Sequence, residues 1–465
     1  MAASQGLQDR FGRNAVFSLR VRLAGGEAVG GVASLAERIG AAVTNAALVD
    51  AEPDGKVVYD LTLLTTGDAQ MEAIRKAVAA ADGVEVLRVL DVAMESHRGG
   101  ACEMRSRCQI KSNTDLRIVY TPGVARVCKA VQADPAKARE YTNIANKVAI
   151  VTNGTAVLGL GDIGALAGLP VMEGKSAIFW EFARISAEPI LIDTHDAAEF
   201  IGVCEKLAVG FGAIQVEDVA APACFAITRE LDRRLNVPVM HDDQHGTATV
   251  VLAGLYSALK KTGRKITDVR CAISGAGAAG TAIADVLMGL GMPDVVLCDR
   301  VGAIHRGRRQ RMNPEKLALS ERTNKDNVAG TLADAMKGRE LFIGVSEPDL
   351  VTQEMVRSMA ADPIVFALAN PVSEISLAEA YEAGAAVAAD GRMMNNALAY
   401  PGMFRGALDA AAESITLEML RATAQALADC VRGDDLMPEM MDPATHQAVA
   451  KATREAAGPG TPLCT

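Results

Sequence analysis

Apolar and polar positions alternate one for one along VFSLRVRL (16–23), with Phe17, Leu19, Val21 and Leu23 on one face and Ser18, Arg20 and Arg22 on the other. A period of two with a single apolar face predicts a half-buried antiparallel strand. Val32, Leu35 and Ile39 then recur at helical spacing, and TNAALVDA and VVYDLTLLTT read as two strands joined by the turn-forming EPDG. Met71, Ile74 and Val78 mark a second amphipathic helix, and VEVLRVLDVA (84–93) closes the unit. The predicted order is β-α-β-β-α-β, a ferredoxin-like α+β domain over residues 1–95, followed by the polar linker ESHRGG (95–100).

Past the linker the pattern changes. Residues 100–254 hold dense polar motifs, whereas residues 255–410 alternate apolar strands with helices in the manner of a doubly wound nucleotide-binding sheet. A helical tail is expected within 411–465, with GPGTPLCT as a frayed end. The fold class expected is therefore α/β: a Rossmann-type dinucleotide-binding domain plus an α/β substrate and metal domain, preceded by the small α+β domain.

Composition narrows the function. The net charge of −10 argues against a nucleic-acid surface; the exception, HRGRRQR (305–311), reads first as a solvated loop and second as a phosphate contact. The N-terminal MAASQGLQDRFGRN has no apolar leader core, and no unbroken apolar run reaches the roughly 18 residues of a membrane span. Nine cysteines without a CxxC pair read as reduced thiols. A cytoplasmic enzyme with neither membrane nor nucleic-acid partner is expected.

GxGxxG occurs twice. GLGDIG (159–164) follows the strand KVAIVT, but Pro170 stands where a dinucleotide helix should run on, and no acidic residue ends a second strand, so this copy is rejected. GAGAAG (275–280) follows VRCAIS, opens an unbroken helix, and is followed by DVVLCD, which ends in Asp299. Gly275 makes the tight turn, Gly277 admits the pyrophosphate, Gly280 allows close helix–strand packing, and Ala278 and Ala279 lie in the helix start that faces the phosphates. Asp299 can bond a ribose diol and favours NAD, whereas Arg300 and the basic run pull toward NADP.

HDDQHGTA (241–248) places His241 and His245 four apart, a spacing that tempts a zinc reading. Glu217 and Asp218 in IQVEDVAAPACF, the stretch YTPGVARVC (120–128), and PVMEGKSAIF (170–179) with a lysine in apolar company precede it. YTPGVA, GTAVLGLGDIG, PVMEGK, VED, HDDQHGTA, GAGAAG, FALANP and NNALAYPGMFRGAL stand in the order found in malic enzymes, over about 100 to 420. The chain resembles a short, bacterial-type malic enzyme, and its first domain resembles an ACT domain, a module that binds small regulatory ligands; a purely dimerising domain is the alternative.

The resemblance implies oxidative decarboxylation of L-malate to pyruvate and CO2, with NAD (or NADP) and Mg²⁺ or Mn²⁺. Carried over by motif, Glu217, Asp218 and Asp243 are the metal ligands, and three carboxylates without a thiolate suit a hard cation. His241 and His245 then serve local packing or hydrogen bonding. Lys175 is the candidate base, for which its pKa, about 10.4 when free, has to be lowered by burial or a nearby cation. Asp242 contacts that lysine. Tyr120 is the candidate general acid, and Asn370, Asn395 and Asn396 match substrate or nicotinamide contacts, Asn395 least closely.

Three departures from the family pattern stand out: Ala156 where longer relatives carry an arginine, Trp180 where a lysine is common, and a shortened 388–396 stretch. The alternatives are a redox-neutral malolactic reaction, an amino-acid dehydrogenase, and a ligand-binding regulator built on a dead enzyme. A homodimer is expected by analogy.

Overall fold

The computed structural model describes residues 15–26, 28–157, 160–370 and 372–458. Expectations for the first 14 residues and for 459–465 lie outside the described residues. The chain divides at Ala101/Cys102 into two compact units.

In the first unit, β1 (Ala15–Leu23), β2 (Ala42–Ala51), β3 (Val57–Thr65) and β4 (Val84–Asp91) form an antiparallel sheet in the order β2-β3-β1-β4. Helices Ala28–Arg38 and Asp68–Ala79 complete a β-α-β-β-α-β element order. The alternation in β1 is borne out: Phe17, Leu19, Val21 and Leu23 are buried with Leu61, Leu63, Met71, Ile74 and Val78. The opposite face is charged, with Arg20 forked onto Asp60 (2.7 Å to each oxygen) and Arg22 bridging Glu52 and Glu85.

The second unit holds two parallel sheets. β5 (Lys147–Thr152), β6 (Ser186–Leu191), β7 (Ala213–Val216) and β8 (Val239–His241) run in the order β6-β5-β7-β8. β9 (Cys271–Ser274), β10 (Val295–Asp299), β11 (Gly302–Ala303), β12 (Leu341–Gly344), β13 (Ile364–Ala367) and β14 (Val387–Asp390) run β11-β10-β9-β12-β13-β14, parallel except for β11. Strands such as CAIS, LFIG and IVFA are buried throughout, as parallel strands covered on both faces must be. With β10 and β12 on either side of β9, a crevice opens at the C-terminal strand ends where the order reverses.

Three expectations need correction. The proposed boundary at 254/255 falls inside the helix Thr247–Thr262, which is buried nearly end to end in one core with Val148 and Ile150 of β5 and Ile273 of β9, so no exposed linker separates the two sheets. Pro170 does not end its helix: Ala165–Ala183 runs through it. The carbonyl that Pro170 cannot bond belongs to exposed Leu166 in the first turn, where water can reach it. The C-terminal helices are not a detached tail either. Pro443–Ala456 lies so close on Tyr400–Asp409 that a Cβ on Gly402 would come within 2.4 Å of Val449. Among the described residues no helix is long and apolar enough to cross a membrane.

Candidate active site

β7 delivers Glu217 and Asp218 at its C-terminal end, and Asp218 takes a left-handed backbone (φ 52°). Such a conformation is costly for most residues but accessible to Asp and Asn. β8 ends at His241, and the chain then enters a wide π-type turn, Asp242–Gly246, before the helix Thr247–Thr262. Gly246 is required there, since a Cβ would lie 2.0 Å from Asp242 Oδ1.

The helix Ala165–Ala183 brings Lys175 onto this turn. Its Nζ donates to Asp242 Oδ2, stands 3.0 Å from Glu217 Oε1, and lies 4.7 Å from the centre of the buried Tyr400 ring. Burial pulls the Lys175 ammonium down, but Asp242 and Glu217 outweigh it and hold the group well above its ordinary value. That reverses the expected direction: with both carboxylates resting on it, Lys175 is a held cation. Asn396 Nδ2 reaches Asp242 Oδ2 (3.4 Å) and Thr247 Oγ1 (3.1 Å), and Gln215 Nε2 donates to Glu217 Oε2 (2.5 Å).

Glu217, Asp218 and Asp243 each present an oxygen, all within 4.8 Å of one another. Asp218 Oδ2 is buried without a partner. Burial and the neighbouring Asp243 push Asp218 up to about 7, and burial pushes Glu217 well above the carboxylate range. Converging, under-neutralised oxygens fit a hard divalent cation. His245 stands apart from this cluster, whereas His241 Nδ1 lies 3.7 Å from Asp243 Oδ2 at its edge. Both are fully inside the wall, where burial lowers their pKa, that of His245 to about 3, and His245 Nδ1 accepts from the His241 amide (3.4 Å).

The raised Asp218 pKa has a testable consequence. The folded protein keeps the Asp218 proton up to about pH 7, whereas the unfolded chain releases it near 4, so this group makes metal-free stability fall as pH rises through that window. Asp218→Asn, which tolerates the same backbone, is expected to raise the melting temperature in chelator by about 2–4 °C at pH 8 and hardly at all at pH 4.5. Equal shifts at both pH values, read by thermal unfolding, would contradict it.

The second fingerprint sits at the end of β9. Gly275 has φ 111°, and a Cβ on it would meet Val345 O at 2.6 Å; one on Gly280 would meet Gly275 O at 1.9 Å. Gly277 faces open space, and no side chain caps the helix Ala278–Gly289, a geometry that could accept a phosphate at its first N–H groups. This helix packs directly on the 242–246 turn, which sets the dinucleotide crevice beside Lys175 and the carboxylates.

Asp299 ends β10 as expected but is not a free acceptor. Arg308 Nη2 bonds both its oxygens (2.7 and 2.6 Å) and Lys316 Nζ bonds Oδ2 (2.6 Å). The basic run is thus not simply solvated: Arg308 is buried in this pair. Arg300 turns instead to exposed Glu347 (2.8 Å).

Lys175, Glu217, Asp218, Asp242, Asp243 and Asn396 are brought together. Asn370 is exposed in the loop after β13, and Asn395 caps its own short turn by accepting from Ala397 N (2.9 Å). Tyr120 is not brought in: it is 66% exposed after the helix Asn113–Val119, and the partners of Lys175 do not include it. Neither that helix nor Val124–Ala133 has a fully buried residue, so the described residues cover this arm only in part. Missed at the level of sequence were Gln215, Arg308, Lys316 and Tyr400. Only Gln215 carried a signal, as a lone amide in the apolar strand AIQV.

Fold and site together fit a dinucleotide-dependent oxidoreductase with three acidic side chains gathered beside a lysine. Residues 101–198 match the malic enzyme N-terminal domain and residues 244–457 match the malic enzyme NAD binding domain. The chain is 42% identical to the NAD-dependent malic enzyme of Geobacillus stearothermophilus over 95% of both chains. It is 45% identical to the bifunctional malic/malolactic enzyme of Bacillus subtilis (77% of this chain, 90% of that one). The crystal structure of the NAD-dependent malic enzyme of Thermotoga maritima covers 78% of this chain and 99% of its own at 39% identity, with a TM-score of 0.76. The chain belongs to the malic enzyme family.

Proposed function

We propose that this protein oxidises L-malate with NAD and decarboxylates the product to pyruvate and CO2. The observation that carries the reading is Lys175 Nζ held between Asp242 and Glu217, with Glu217 shared by the three-carboxylate cluster. Glu217, Asp218 and Asp243 would hold a divalent cation, which would stabilise negative charge developing on the substrate, and the nicotinamide would serve as hydride acceptor. Lys175 takes the hydroxyl proton. A cation held by Glu217 would draw that carboxylate's charge away from Lys175 and so favour its neutral form, and Asp242, tethered by Asn396, keeps the Nζ in place. The C3–C4 bond then breaks as CO2 leaves, Tyr120 donates its phenolic proton to C3 of the resulting enol, and the proton that Lys175 took replaces it on Tyr120. Asn370 and Asn396 hold substrate or nicotinamide, with Asn395 as a cap behind them.

Tyr120 needs delivery. Its arm exposes Leu116, Ile118 and Val119, and the helix bearing Lys175 exposes Leu166, Val171 and Trp180. Apolar surface left open on both favours a homodimer in which each arm covers the partner and Tyr120 enters the partner's site. Mixing Tyr120→Phe with Lys175→Ala chains, each inactive alone, is then expected to restore about one quarter of wild-type activity through hybrid dimers. No recovery would place both residues on one chain's site.

NAD is the preferred cofactor in this reading, with NADP as the alternative that Arg308 and Lys316 leave open by neutralising Asp299. Lys316→Gln is expected to cut kcat/KM for NADP about tenfold more than for NAD; equal losses would remove Lys316 from cofactor discrimination. For the chain as a whole, the reading assigns residues 1–95 to an ACT-like regulatory unit for a small ligand, and substrate, metal and dinucleotide to the second unit, whose two sheets share one core. The bifunctional relative supports a second, malolactic reading. Malate, NAD and Mn²⁺ decide between them: NADH accumulating with pyruvate supports oxidation, and lactate without NADH overturns it.

A further inference from the structure

We infer that Glu374 is a positioning residue for the dinucleotide crevice, clamping at once the loop behind the glycine fingerprint and the loop that carries Asn370; this rests on assigning that crevice to NAD. Glu374 is fully buried. Its Oε1 accepts from Ser346 N (2.9 Å), just after β12, and its Oε2 accepts from Ala369 N (3.0 Å), just after β13 and next to Asn370.

The grip extends to β9. Ser346 Oγ pairs with Ser274 Oγ (2.7 Å), and Ser274 is the residue before Gly275. Gly275 in turn rests on the carbonyl of Val345, neighbour of Ser346. One carboxylate therefore ties together the loops after β9, β12 and β13, which flank the point where strand order reverses.

The fold makes room for it. A Cβ on Gly344 would lie 2.3 Å from the Glu374 carboxyl carbon and within 2.6 Å of both oxygens, so a glycine is needed there for space. The Glu374 backbone is itself pinned, its carbonyl accepting from Val351 N (2.9 Å) and that of Ser373 from Asp349 N (3.1 Å). Burying a carboxylate is expensive, and an apolar side chain would fill the same volume at lower cost. What an apolar residue cannot do is accept two N–H groups from two different loops in fixed directions.

Full-length wild type, Glu374→Gln and Glu374→Leu separate positioning from mere stability. NADH affinity is read by nicotinamide fluorescence without malate, Mn²⁺ affinity by electron paramagnetic resonance, and KM for NAD against kcat in the complete assay. Glu374→Leu is expected to weaken NADH binding by about tenfold or more and to raise KM for NAD more than it lowers kcat. Glu374→Gln, which keeps one acceptor, should lose about threefold and carries the test if the leucine variant does not fold. Mn²⁺ affinity should stay within about twofold in both.

Unchanged NADH affinity in the variants overturns the inference, as does a parallel fall in NADH affinity, Mn²⁺ affinity and melting temperature. Wild type that binds no NADH at all overturns the dinucleotide assignment itself, and the inference with it.

Discussion

Lys175→Ala is expected to lower kcat for malate oxidation by about 10³-fold while Mn²⁺ and NADH still bind within about threefold of wild type. The side chain is the one cation on Asp242 and Glu217 in the described site, and its Nζ is fixed from below by the Tyr400 ring. Removing it deletes the proposed base for the C2 hydroxyl. It also leaves two buried carboxylates, Glu217 and Asp242, without their cation, and uncompensated negative charge draws a metal ion rather than repelling one. Affinity for Mn²⁺ should therefore hold or improve as turnover collapses. A variant that keeps its kcat would remove Lys175 from the chemistry, and one that loses metal and turnover together would recast it as a structural partner of Glu217.

Asp243→Asn should show the opposite split. Asp243 is the half-exposed member of the cluster, and its charge bears on Asp218, Glu217 and His241. Asparagine keeps the shape and removes an anionic oxygen, so the Mn²⁺ dissociation constant is expected to rise about 10²-fold. Saturating Mn²⁺ should then recover a substantial part of kcat, because Lys175 and Asp242 are untouched. Unchanged metal affinity in a direct titration would take Asp243 out of the ligand set. Substituting His245, by contrast, should affect stability well before metal affinity, since its imidazole is buried away from the cluster.

Much of this was legible in the chain itself, for identifiable physical reasons. The period-two pattern of 16–23 could only be satisfied by a strand with one wet face, and β1 has one. Continuous apolar strands ending in glycine-rich turns announced covered parallel sheets, and GAGAAG followed by Asp299 located the crevice. The local clusters VED and HDDQHG are the ends of adjacent strands β7 and β8, so closeness in three dimensions followed from strand ends alone.

What was hidden depends on long-range geometry. Pro170 reads as a helix breaker, and only the exposure of the carbonyl at Leu166 makes it harmless. Arg308 reads as one of several solvated arginines until the chain folds it onto Asp299. Glu374 has no sequence signal, because its partners are backbone amides of Ser346 and Ala369. The residue types of HDDQH could not reveal a π-type turn, which turns the histidines into the wall and the aspartates toward Lys175 and the cluster. Tyr120 was recognisable as a residue type in its motif, but its exposure becomes visible only when the arm is seen to hold no fully buried residue.

Malate turnover by chelator-stripped wild-type protein, before and after Mn²⁺ is returned, tests the proposed centre most directly. With L-malate and NAD the stripped protein should form no NADH. Returning Mn²⁺ should restore NADH and pyruvate one for one. Malate oxidation that persists in chelator, or a metal-restored protein that leaves malate untouched, would contradict a catalytic centre built from Lys175 and the Glu217–Asp218–Asp243 cluster.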